Sequence, residues 1–116
     1  MANTYKILGQ ANPAAGVETD LYTVPAGTNT VVSCISICNF TNSAPYTTVN
    51  SGKFTITVSK AGAATTNKDI IYNLVNISQS DTYIANIGLT LDVGDVVRIV
   101  SSVNYLSFNL FGTEIT

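Results

Sequence analysis

Asp92 and Asp95, three positions apart in LDVGDVV, are carboxylates whose spacing invites a chemical reading. Two carboxyl groups across a sugar could cleave a glycosidic bond, one as acid and one as base or nucleophile. A loop with more oxygen ligands could hold Ca2+. Turn chemistry explains this pair more simply. Asp92 can accept from the backbone that follows it, Gly94 can take a positive φ, and Asp95 opens the next strand.

The chain contains no histidine. The usual general base at neutral pH is therefore missing, and Ser-His-Asp and Cys-His machinery is excluded. Cys34 and Cys38 sit in VVSCISIC, which reads as a strand. At about 3.3 Å per residue their Cα atoms stand roughly 13 Å apart, beyond disulfide reach. They should share one face as small core residues, and without further Cys or His they make a poor zinc site. The expectation is a non-enzymatic protein with no catalytic residue, no cofactor and no metal.

Three residues remain as candidate contacts. Arg98 lies within the apolar run VVRIV, either outward-facing with its stem along the sheet or paired across subunits with Glu18, Asp20 or Glu114. Pro45 and Tyr46 lie on the long loop 41–51, and Tyr46 is the tyrosine best placed for an exposed contact. Six tyrosines without tryptophan make only a weak sugar-binding platform. NFT at 39 and NIS at 76 match the glycosylation acceptor, but MANTYKILGQ does not read as a secretory signal.

The elements that must position these residues are strands. Val, Ile and Thr make up about a third of the chain, and alternation recurs where helical periodicity does not. FTITV sets Phe54, Ile56 and Val58 against Thr55 and Thr57. YLSFNLF sets Leu106, Phe108 and Leu110 against Ser107 and Asn109. Strands are expected at 3–9, 18–24, 30–40, 52–60, 68–75, 81–91, 95–102 and 105–112, separated by Gly-, Pro-, Asn- and Ser-rich turns. About eight strands without helices predict an all-β fold, an antiparallel β-sandwich of jelly-roll type. Residues 1–15 form an N-terminal strand or an arm, and 16–116 a single sandwich domain. The strands at 30–40 and 95–101 are apolar on both faces, as central or covered strands are.

Charge narrows the partners. Charged residues make up 10% of the chain, against about 25% in ordinary soluble domains, and the net charge is −2. Five basic residues scattered singly predict neither nucleic-acid nor membrane binding. Ser, Thr and Asn, about a third of the chain, give a polar but uncharged surface. Such a surface either stays in water or, being spared the cost of desolvating charge, is covered by copies of the chain or by another protein.

Leu21 to Ala26 (LYTVPA), Cys38-Asn39, Gly94 to Val97 (GDVV) and Leu106 to Gly112 (LSFNLFG) occur in an order that resembles small virion structural proteins of tailed bacteriophages, cyanophages among them. Loop 41–51 departs from that pattern. The resemblance implies a virion component made in the host cytoplasm, with no activity attached. It would be a capsid decoration (cement) protein on the major capsid protein, or a tail, baseplate or fibre component on a tail protein. A glycan-binding adhesion module is a weaker expectation. The expected assembly is a homo-oligomer, with a trimer favoured.

Overall fold

The computed structural model describes residues 2–41 and 50–116. The alternating segments form β1 Asn3–Ala11, β2 Thr19–Thr23, β3 Asn29–Asn39, β4 Gly52–Ser59, β5 Ile70–Ile77, β6 Thr82–Ala85, β7 Leu89–Leu91, β8 Val96–Ser101 and β9 Leu106–Ile115. One sheet runs β1-β9-β3-β6, with β7 also pairing β3; the other runs β2-β8-β4-β5. All pairings are antiparallel. This strand order across two sheets is that of a jelly roll.

Asn3–Ala11 is an edge strand in its own sheet, in register with β9 from Asn3↔Ile115 to Ala11↔Phe108. The chain that follows is tied down. Asn12 Nδ2 donates to the carbonyls of Asn104 and Leu106, both at 2.9 Å, and Gly16 N donates to Ser101 O at 2.7 Å.

The inward side chains follow the alternation in the sequence. Phe54, Ile56, Leu106, Phe108 and Leu110 are fully buried. Phe54 joins the two sheets: its ring centroid lies 5.4 Å from Tyr83, 6.2 Å from Phe108 and 6.4 Å from Tyr72. Each such aromatic pair adds about 0.5–1.5 kcal/mol beyond simple burial.

Two departures from the sequence reading share one cause. Strand β3 breaks register on β9 between Val32 and Cys34, leaving Ser33 as the extra residue of a bulge. Before it Thr30 and Val32 point inward; after it Ile35, Ile37 and Asn39 do. Cys34 and Cys38 therefore do share a face, but it is the outer face, where both are half-buried. They are not core residues. The expected strand 81–91 is likewise split, with β7 on Thr30–Val32 and β6 on Ile35–Cys38, either side of the bulge.

Strand β1 bulges one residue further along β9, between Ile7 and Gly9, so β9 runs between two bulged neighbours. The site is tight. A Cβ on Gly112 would lie 2.3 Å from Val31 O and 2.9 Å from Leu8 Cδ1. Gly112→Ala should lower stability by about 1–3 kcal/mol or more, and Phe108→Ala by about 3–5 kcal/mol. Chemical denaturation of the two variants checks both, and wild-type midpoints would contradict the packing described.

Candidate interaction face

The bulges decide which side chains reach the outside of the five-stranded sheet. Its outer surface is built in rows across the strands. Ile7 stands beside Phe111, which stands beside Cys34. Tyr5 stands beside Thr113, then Val31, then Thr90. Gln10 stands beside Asn109, then Ser36, then Ile84. Among the described residues, no strand residue on this face is charged; Asp81 and Asp92 stand in the flanking turns. Large apolar groups lie open on it, with Tyr5 78%, Ile84 61% and Ile7 51% exposed.

The outer face of the other sheet is different. Arg98, opposite Asp20 on β2 and Thr57 on β4, points outward there. Its Nε donates to Asp20 Oδ1 at 2.9 Å, and Nη1 donates to Ser59 Oγ, Ala63 O and Thr65 Oγ1 at 3.0, 2.7 and 3.2 Å. These bonds strap the 60–65 segment onto the sheet, and the Arg98 side chain is only 13% exposed. Asp20 was one of the three acids read as possible partners, and the pairing lies within one chain. Arg98 is thus a structural tie, with most of its donors engaged.

A polar group is also buried between the sheets. Glu114 on β9 accepts from Tyr22 Oη at 2.6 Å and from Lys6 Nζ at 2.9 Å, while Tyr22 and Thr30 share a bond of 2.7 Å. Together these residues link β1, β2, β3 and β9. The hydrogen bonds from Tyr22 and Lys6 hold the Glu114 carboxyl below its ordinary value of 4.5. Burial, then the bond to Glu114, push the Tyr22 phenol up to about 12.

The Asp92–Asp95 pair is a turn. Asp92 N donates to Asp95 Oδ2 and Val93 N to Asp92 Oδ1, at 2.9 and 2.8 Å, while Gly94 has φ 84°. Asp95 Oδ1 also accepts from Ala61 N at 2.9 Å, which seats the 60–62 turn. The carboxylates are thus held by backbone N–H donors, two within the turn itself and one from Ala61. No group of three His, Cys, Asp or Glu residues able to hold a metal occurs among the described residues. Among the described residues no helix is long and apolar enough to cross a membrane. Pro45 and Tyr46 lie outside the described residues.

The structure therefore brings together residues that were not singled out in the sequence: Tyr5, Ile7, Val31, Ile84 and Phe111. A signal for them existed. The alternate positions of β9, Ser107, Asn109, Phe111, Thr113 and Ile115, form an uncharged series opposite the buried one.

Stability should hold a plateau in pH. Glu114, with its lowered value, contributes fully above pH 4.5 and loses that contribution as pH falls through the folded-state value. Tyr22, raised from 10.0, contributes fully below pH 10.0 and loses it as pH rises toward about 12. Denaturation midpoints measured across pH should fall at both ends. Glu114→Gln should cost about 1–3 kcal/mol at neutral pH and flatten the acid limb; an unchanged acid limb would contradict this role.

No protein-family model matches the chain, and no curated protein is significantly similar to it.

Proposed function

We propose that this chain is a non-enzymatic structural protein of a tailed-bacteriophage particle, a capsid decoration protein that lays the outer face of its five-stranded sheet on the shell. The observation that carries this reading is the face itself, broad and without a charged strand residue among those described. Removing water from charged groups is costly, and the cores of lasting interfaces are depleted in them. A surface of Ile, Phe, Tyr, Val, Thr, Ser and Asn avoids that cost, while its hydroxyls and amides can still find partners.

The ordered motifs from Leu21 to Gly112 support the particle setting by resemblance. The jelly-roll order agrees with it only as a fold-level analogy, since the same fold also serves lectins and cupins. Mechanically, each copy would add apolar contact across the joint between neighbouring shell subunits. A standard patch of about 800 Å² per partner suffices when many copies dock at once.

Particles stripped of the protein should burst at a lower temperature and regain heat resistance when it is added back. Ile84→Asp, on the exposed face, should leave the isolated domain within about 0.5 kcal/mol of wild type yet fail to restore the particles. Unchanged heat resistance after stripping would overturn the cementing role, and binding confined to tails would move the protein there.

A further inference from the structure

Beyond that docking face, we propose that the open edge of β1 pairs with β1 of a second copy of this chain, joining two five-stranded sheets about a two-fold axis. Unpaired strand edges are templates for pairing, and proteins usually blunt them with short strands, bulges, prolines or charges. The other strands at open positions are blunted. Strand β2 has five residues, breaks register after Asp20 and carries that carboxylate. Strand β5 breaks register twice on β4, and Leu74 within it has φ 50°. Strands β6 and β7 have four and three residues.

Strand β1 is different over Asn3 to Ile7, where every residue is in unbroken register with β9. It contains no proline, and nothing among the described residues pairs with its far side. Its one charge, Lys6, would ordinarily guard such an edge. Here the ammonium is turned under the sheet to Glu114, at 2.9 Å.

The geometry also selects a register. Ala2 and Thr116 exchange both main-chain bonds, each 2.9 Å. Bonded pairs alternate along an antiparallel ladder, so Thr4 and Lys6 spend their main-chain groups on β9. Asn3, Tyr5 and Ile7 then present N–H and C=O to the open side. A two-fold centred on Tyr5 matches these groups: Tyr5 faces the partner subunit's Tyr5, and Asn3 faces the partner subunit's Ile7. In this register Lys6 stands opposite the partner subunit's Thr4, so no like charges meet.

The side chains agree with the backbone. Tyr5 and Ile7, 78% and 51% exposed, lie on the uncharged outer face and would come together across the axis with their counterparts. An edge carrying charge would suit a partner of opposite charge. This edge, whose one lysine is paired within the chain to Glu114, suits its own copy. The product is a two-fold pair rather than the trimer expected from the sequence, and it presents the uncharged face twice over, side by side. The pairing does not depend on what that face binds.

The test is sedimentation equilibrium of the full chain. Wild type should show a monomer–dimer equilibrium. Tyr5→Lys places like charges opposite each other across the axis without touching the β9 ladder, and should raise the dimer Kd at least about tenfold with an unchanged thermal midpoint. Tyr5→Cys supplies a second measurement, because directly opposed residues lie within disulfide reach; under oxidation it should form a covalent dimer, whereas Thr4→Cys should not. A monomeric or trimeric wild type, or a Tyr5→Lys dimer as tight as wild type, would overturn the proposal. Particle binding is read separately, so either idea can fail without the other.

Discussion

The architecture turns on how β9 is threaded between β1 and β3. Both neighbours insert an extra residue at adjacent levels, Ser33 between the partners Gly112 and Phe111 and Leu8 between Phe111 and Leu110, while β9 passes them without a bulge of its own. Backbone crowds the point between them so closely that only a residue without Cβ fits, and Gly112 occupies it. A bulge reverses which alternate residues face in. Across the two bulges Tyr5, Ile7, Cys34, Ser36 and Cys38 face outward and Ile35 and Ile37 face the core, while unbulged β9 alternates throughout and buries Phe108 and Leu110. One steric constraint thus sets both the packed interior and the composition of the outer face.

Charge is distributed accordingly. The four-stranded sheet carries Arg98 and Asp20 outside, and Arg98 is used to strap a loop down. The Glu114 carboxylate of the five-stranded sheet points inward, where Tyr22 and Lys6 bond it. What remains on the outside of that sheet is apolar or neutral. A protein that needed only solubility would gain from charge there. The sandwich is asymmetric in a way that makes physical sense if one side is to be covered.

Much of the fold was legible in the sequence because β4 and β9 alternate cleanly: Phe54 and Ile56, and Leu106, Phe108 and Leu110, all face the core. The turn at Asp92 to Asp95 was legible because its hydrogen bonds are local. The orientation of the two cysteines was not. The bulge at Ser33 shows only in the pairing of β3 with β9, strands far apart in sequence, and alternation cannot register it. The uncharged outer face was hidden for the same reason, since its rows are assembled from β1, β3, β6, β7 and β9 by pairing. Arg98 looked like a contact residue because its stem sits among apolar neighbours, and only the structure brings Asp20, Ser59 and Ala63 around it.

The cysteines that face outward beyond the bulge can report whether this face is covered in a particle, as proposed. Both are free thiols, half-buried on the outer surface of the five-stranded sheet. Alkylation of Cys34 and Cys38 should be followed by mass spectrometry, in the isolated chain and in intact particles containing it. Both thiols should be modified in the isolated chain and protected in the particle, with the protection lost again when the protein is released. Equal rates in the two states would show that the face stays open to solvent and would contradict the account.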